Sequence, residues 1–518
     1  MTSVREAPPA SRPAHDATRP GLAVLRTLFE RLDAEGIRYC HWKSNEHLGA
    51  SLEGTTDVDV LVDRRAIVPL TRLLGETNFK RFVVKAGRGY PGIEDYVGFD
   101  RDTGVLTHLH VHYQLTLGEK FLKGHRIPWE ERYLSTRVLD ESRGLYVADP
   151  HLELVVLVLR AAMKLRARDF FIEALGKPYF RGGMVREFRW LAARVRPGEA
   201  AELATRLAGP RVGALVPAML AAGGPSLGQL VAIRRTATPA LGEYRLYGAS
   251  EAIRHALGRE LGVVWWKVRN WCLGAPTKSS RTLPHGGLLI AFLGADGAGK
   301  STVAREIAEW LSHEVAVVTT YGGNGKGSAG WPRRVMQFVG AMRRRVAGGL
   351  SRRTAPPAAG RATSPAGQSI SPARAIWVEA LARERRARAL HTRRSRGMGM
   401  IVVSDRFPQS QFPGWNDGPR LTAWIDHPSA WRRAAARRER DAFRLAELCP
   451  PDLVLKLHIP AELAARRKPE TPREQIRTGV ELLRRLSYPG TTRVVDVDAS
   501  QPLRQVILQV KRAVWDAI

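Results

Sequence analysis

Nine residues, Gly294-Ala295-Asp296-Gly297-Ala298-Gly299-Lys300-Ser301-Thr302, constrain this chain more than any other feature of it. They fit the pattern G-x-x-x-x-G-K-[ST] at every position. The apolar run Leu288–Leu293 comes just before them, and Val303, Ile307, Trp310 and Leu311 follow at helical spacing. A buried strand, a glycine turn and an amphipathic helix in that order are the setting in which such a turn wraps phosphate groups. The glycines let backbone N–H groups point inward, and the helix start adds its positive end. Lys300 is then expected to reach the terminal phosphates and the Ser301 hydroxyl to join a magnesium shell. The competing reading is a chance glycine-rich turn, which the two flanks argue against.

The rest of the last third alternates strand and helix, which predicts an α/β domain with a parallel sheet flanked by helices. Val315–Thr320, Ile401–Val403, Leu453–Ile459 and Val494–Val497 are the further strand candidates. Ile401-Val-Val-Ser-Asp405-Arg406-Phe407 ends a buried run in an acid and a base. Beside a phosphate turn the acid can hold magnesium and the arginine can neutralise a phosphate; on its own the pair would read as a strand-end ion pair. Arg466-Arg467-Lys-Pro-Glu-Thr-Pro-Arg473 reads either as a mobile arginine loop closing over transferred oxygens or as a basic surface loop.

These residues together resemble the thymidylate kinases and related nucleoside monophosphate kinases. The resemblance rests on Phe292–Thr302, on Gly399–Phe407, on Pro451–Pro460 followed by Glu462 and Arg467, and on Val494–Ser500. It implies ATP and Mg2+ as cofactors and phosphoryl transfer to a phosphorylated small-molecule acceptor. Lys300, Asp405, Arg406, Arg467 and Arg473 would be the working residues, with Ser301 and Asp405 on the metal. Arg383 or Arg385 would meet the acceptor phosphate. After Phe407 the chain runs Pro408-Gln-Ser-Gln-Phe-Pro-Gly-Trp-Asn-Asp-Gly-Pro419, where that family reads thymine. The acceptor therefore stays open.

Near the amino end, Lys43-Ser44-Asn45 and Gly54-Thr-Thr-Asp57-Val-Asp59-Val-Leu-Val resemble the nucleotidyltransferase fold, in which a Gly/Ser turn precedes two acids alternating on a strand. Residues i and i+2 share a strand face, so Asp57 and Asp59 could jointly hold magnesium beside a triphosphate. The third carboxylate of that fold comes from a later strand. The matching strand here, Thr107–Leu115, carries His108, His110 and His112 instead. Imidazoles suit transition metals, but three from one strand do not easily converge on one ion. The readings left open are nucleotidyl transfer, nucleotide binding without it, and a strand whose acids face solvent.

At 518 residues the chain exceeds one ordinary core. Its organisation is expected to be a disordered tail over 1–20, a nucleotidyltransferase-like α+β domain over 21–149 and a helical region over 150–277. A linker over 278–285 and the phosphate-turn domain over 286–518 complete it, with a mobile insertion near 348–372 rich in Ala, Pro, Ser, Gly and Arg. Three scattered cysteines (Cys40, Cys272, Cys449) form no metal spacing and suit a reducing interior, so a cytoplasmic protein is expected. No stretch reaches the ~20 apolar residues needed to span a bilayer. Nearly half of the net charge of +31 gathers in residues 331–400, where sixteen arginines face two acids, Glu379 and Glu384. A solvated basic surface explains this more simply than a nucleic-acid partner. A second function class remains, a non-catalytic ATP-binding switch or scaffold; oligomeric state is not legible.

Overall fold

A computed structural model describes residues 20–84, 89–119 apart from 91, 122–264 apart from 249, 256, 260 and 263, 281–322, and 372–518 apart from 416. Of the tail expected over residues 1–20 and the insertion expected near 348–372, residues 1–19 and 348–371 lie outside the described residues. The fold is mixed α/β. It divides into two compact units, one of Met1–Arg81 with Ala86–Gly274, the other of Phe82–Lys85 with Ala275–Ile518.

In the first unit the strands are β1 (Tyr39–His41), β2 (Val58–Val62), β3 (Phe79–Val84, whose last three residues count with the second unit), β4 (Ile93–Phe99), β5 (Leu106–His112), β6 (Leu115–Glu119), β7 (Leu122–Ile127), β8 (Val138–Asp140) and β9 (Leu145–Val147). Seven of them run side by side in the order β3-β4-β5-β2-β1-β9-β8, and β6 and β7 pair separately. Strand β5 lies parallel to β2 and antiparallel to β4. Because side chains alternate across a strand, β2 serves two cores. Val58, Val60 and Val62 pack with Leu25, Leu28 and Phe29 of the helix Ala23–Ala34. Leu61 faces the other way, into a core with Trp42 and Leu152.

That second core is centred on the helix Pro150–Lys164. Asp149 caps it by accepting from the N–H groups of His151 and Leu152, and Pro150 occupies its first turn. Its sequence PHLELVVLVLRAAMK is apolar nearly all round, as expected of a helix buried among other helices. Helices Gly183–Ala192, Pro197–Ala208, Pro210–Ala222 and Leu227–Ala240 supply that surrounding apolar surface. Asp59, in phase with Leu61, shares the sheet face that carries this bundle.

In the second unit five parallel strands lie in the order Val317–Tyr321, Ile401–Asp405, Leu289–Gly294, Leu453–His458, Arg493–Asp498. The central strand is buried along its length up to Leu293, consistent with its uninterrupted apolar run. The next strand in sequence, Val317–Tyr321, pairs not with it but with Ile401–Asp405. Asp405 therefore comes to stand beside Phe292, at the carboxyl end of the sheet where the glycine turn begins. Crevices at such strand ends are where open α/β sheets take ligands. Among the described residues no helix is long and apolar enough to cross a membrane.

Candidate functional site

The glycine turn leaves the sheet at Gly294 and enters the helix Lys300–Ser312 through Gly299, whose φ of 84° is left-handed. Gly297 is also left-handed (φ 90°), and a Cβ there would lie 2.6 Å from the Ala464 carbonyl oxygen. Only glycine fits that position, because it needs both the conformation and the close approach. Val303, Ile307 and Leu311 bury one face of the helix and fix where its first turn points.

Lys300 is buried, and its Nζ donates to the Ala295 carbonyl at 2.8 Å. Burial and the nearby Arg406 push the ammonium down to about 8, against the pull of Asp296. One residue on, the Ser301 hydroxyl donates to Asp405 Oδ2 at 2.6 Å. The other oxygen, Asp405 Oδ1, is buried with no hydrogen-bond partner among the described residues. A hydroxyl and a carboxylate with a spare buried lone pair are the hard oxygen donors that magnesium takes, so this pair fits such an ion. An open cleft lies beside it, lined by Ala308, Ser312, Thr319 and Val403 as well as Ser301 and Asp405.

Arg406 follows with φ 77°, its backbone N–H held on the Phe292 carbonyl. Its guanidinium reaches Asp296 Oδ1 at 3.0 Å and Asp417 Oδ2 at 3.3 Å. Burial alone would lower it, but Asp417, Tyr321 and Asp296 raise it. Asp296 is held below the usual carboxylate range: burial opposes this, and Lys300, Arg406 and Lys468 prevail. The segment 408–419 is stapled by Gln409, whose Nε2 donates to the carbonyls of Phe412 and Trp415.

The basic stretch 466–473 does not act as one unit. Arg467 donates to the Ala499 carbonyl at 3.1 Å, and Arg473 is exposed at the start of the helix Arg473–Arg485. The basic residue that approaches the turn is Lys468, its Nζ 3.9 Å from Asp296 Oδ1, which the sequence reading passed over. On the helix Pro372–Gly397, Arg383 is exposed and pairs with Glu379, whereas Arg385 is buried over the Phe443 ring, 4.0 Å from Glu439.

In the first unit the register sets Asp59 opposite His110 on β5, and His110 opposite Asp95 on β4. Asp57, Asp59, Asp95 and the three histidines thus share one sheet face. His108 bridges Asp57 and Asp95, each ring nitrogen 2.8 Å from a carboxylate oxygen. His110 Nδ1 and His112 Nε2 lie 3.2 and 3.1 Å from the same oxygen, Asp59 Oδ1. Lys43 Nζ sits 2.7 Å from Asp59 Oδ2. Burial would raise the Asp59 carboxyl, but Lys43 and the two imidazoles hold it well below its ordinary value. Burial pushes His112 down to about 3. The matching strand β5 carries no acid, but Asp95 reaches the same face from β4, a strand that was not among the candidates read from the sequence.

The turn 43–45 is anchored from the bundle. Asn45 donates from N and Nδ2 to the two oxygens of buried Glu153 at 3.0 and 2.7 Å, and Ser44, at φ 60°, donates its N–H to Glu187. Burial pushes Glu153 up to about 7 and Lys164 down to about 8. Arg160 and Lys43 act on Lys164 in the same direction as burial, so three cations gather here.

No family model matches the chain. It is similar to the uncharacterized ATP-binding protein YghR of Escherichia coli K12, 28% identical over 256 residues, which are 47% of this chain and 94% of that protein. The protein of the same name from a second Escherichia coli strain, O6:H1, gives the same figures. The uncharacterized ATP-binding protein YghS of Escherichia coli K12 is 24% identical over 236 residues, 44% of this chain and 93% of that protein.

Proposed function

We propose that the second unit is an ATP-dependent phosphotransferase of the thymidylate kinase-like, P-loop type, acting on a nucleoside monophosphate or another phosphorylated small molecule. The observation that carries this is the 2.6 Å hydrogen bond from Ser301 Oγ to Asp405 Oδ2, one residue from a buried Lys300. It ties the first turn of the helix to the end of the neighbouring strand, and so brings together the groups that polyphosphate chemistry needs. The similarity to two proteins called ATP-binding supports ATP as the nucleotide.

In this reading the backbone N–H groups of Gly294–Thr302 and the start of the helix hold the phosphate chain. Lys300 leaves the Ala295 carbonyl for the terminal phosphates, where its charge offsets theirs. Ser301 and Asp405 would hold Mg2+, which would draw charge from the phosphate oxygens. Asp296 and Asp417 keep Arg406 fixed at the mouth of the turn, set to meet a phosphate without first being ordered. Lys468, Arg467 and Arg473 stand on the elements that follow the Leu453–His458 strand, from which basic side chains can stabilise the transferred group. For the first unit we favour the binding form of the nucleotidyltransferase-like reading, a site for a nucleotide-like anion. His108 engages Asp57, so Asp57 and Asp59 do not stand as a bare pair for magnesium.

The test is ADP formation by the full chain with ATP, Mg2+ and a panel of nucleoside and sugar monophosphates. Turnover that depends on one acceptor class and is lost in Lys300→Ala and Asp405→Asn is expected. ATP binding with no turnover on any acceptor would replace this reading with a nucleotide-operated switch.

A further inference from the structure

The β2–β5 face holds more ligating chemistry than a phosphate-binding site requires. On a strand, residues i and i+4 are about 13 Å apart at ~3.3 Å per residue, so one ion cannot take all three histidines of the row. The structure separates them accordingly. His108 spends both nitrogens on Asp57 and Asp95. The other two turn their nitrogens on one oxygen of Asp59, and the ligating atoms of Asp59, His110 and His112 all lie within 4.8 Å of one another.

The two edges of that triangle that meet at Asp59 Oδ1, 3.2 Å from His110 Nδ1 and 3.1 Å from His112 Nε2, have a chemical meaning. An ion with bonds of about 2.0–2.1 Å in tetrahedral geometry has ligand–ligand edges of roughly 3.3 Å. The donor set of two imidazoles and one carboxylate is the kind that zinc, iron(II) and cobalt(II) accept and that magnesium does not prefer. The outer groups are in place as well. Lys43 fixes the second oxygen of Asp59 at 2.7 Å, which orients the first. The His112 ring packs edge-on against Trp42, 5.1 Å between centroids. Among the described residues no hydrogen-bond partner meets His112 Nδ1, so this ring can present either a proton or a lone pair at Nε2.

We propose that Asp59, His110 and His112 form a mononuclear site for a divalent transition-metal ion of the zinc class, with three protein ligands and an open position. The site is separate from the Ser301–Asp405 pair and does not depend on the phosphotransferase reading. It also differs from a magnesium pair on Asp57 and Asp59, because it takes one aspartate and draws two ligands from β5.

The test uses the full chain, stripped of metal with a chelator and titrated with Co2+ in excess Mg2+ and without nucleotide. One equivalent should bind, with the intense visible bands of a four- or five-coordinate ion, and Zn2+ should displace it. His110→Ala and His112→Ala should each weaken binding at least about tenfold, whereas His108→Ala and Asp405→Asn should leave it unchanged. A wild-type chain that takes up no Co2+, or shows only the weak spectrum of the six-coordinate ion, overturns the proposal whatever the variants do. Unchanged affinity in His110→Ala, with folding verified by circular dichroism, overturns it equally.

Discussion

Lys300 sits where burial and Arg406 both work against its charge, and its ammonium titrates at about 8. A bound polyphosphate would favour the charged form, so the complex must hold this proton to higher pH than the free protein does. By linkage, ATP affinity should be level from neutral pH up to about 8. Above that it should fall by up to about tenfold per pH unit, because binding then requires proton uptake. Titrating ATP across this range checks the expectation, and affinity that stays flat to about pH 9 would remove Lys300 from the contact. Lys300→Ala should lower the turnover number by about 10²–10³-fold, the usual cost of losing one preorganised charge partner of the transferred group. At this scale the sequence was most legible where a motif fixes both residue and neighbour, as with Lys300 and Ser301. It was least legible for Lys468. Three adjacent basic residues look alike on paper, and only the turn between Ala461–Arg467 and Arg473–Arg485 decides which one faces Asp296.

Two turns carry much of the positioning, each held from outside itself. Gly297 meets the backbone of Ala464, so Gly297→Ala combines a left-handed residue with a clash at a carbonyl oxygen. A cost of about 1–3 kcal/mol is expected from the conformation alone. Thermal unfolding should register it as a fall of about 2–4 °C per kcal/mol for a unit of this size. An unchanged melting temperature would show that the turn is loose. The turn 43–45 hangs on Glu153, which is 2% exposed and takes both Asn45 bonds. Glu153→Ala strands two donors in the core, at about 1–3 kcal/mol for each buried group left unpaired, and urea midpoints would measure it. The apolar strands and their helices were readable from periodicity. Strand β4 was not, since Ile93–Phe99 opens on Glu94 and Asp95, ends buried on both faces and contains Gly98. That glycine is there because the Phe79 ring packs on it, within 2.4 Å of where a Cβ would stand. With β4 unseen, Asp95 was unseen too. The pairing of His110 with Asp59 follows from strand register, which periodicity within one strand does not carry.

Over the whole molecule, the charge of +31 is partly answered from within. Arg388 pairs with Glu384, Arg396 with Asp452, and Arg383 and Arg438 with Glu379. Arginine on the helices Pro372–Gly397 and Ala430–Glu447 therefore joins elements of the second unit as well as meeting solvent. Two unrelated residue patterns, far apart in the chain and one in each of its two units, were legible in the sequence. What each unit acts on was not, because a loop such as 408–419, where the proposed acceptor would be read, takes a geometry that depends on one glutamine stapling two carbonyls. All of the chemistry proposed for the second unit depends on a nucleotide seated in the turn 294–302. The most direct measurement is therefore the equilibrium affinity of the full chain for ATP with Mg2+, by calorimetry, beside Lys300→Ala. The account predicts one site per chain whose affinity falls at least about tenfold, or 1.4 kcal/mol, in the variant. Equal affinity in the two proteins, or no binding by either, would contradict it.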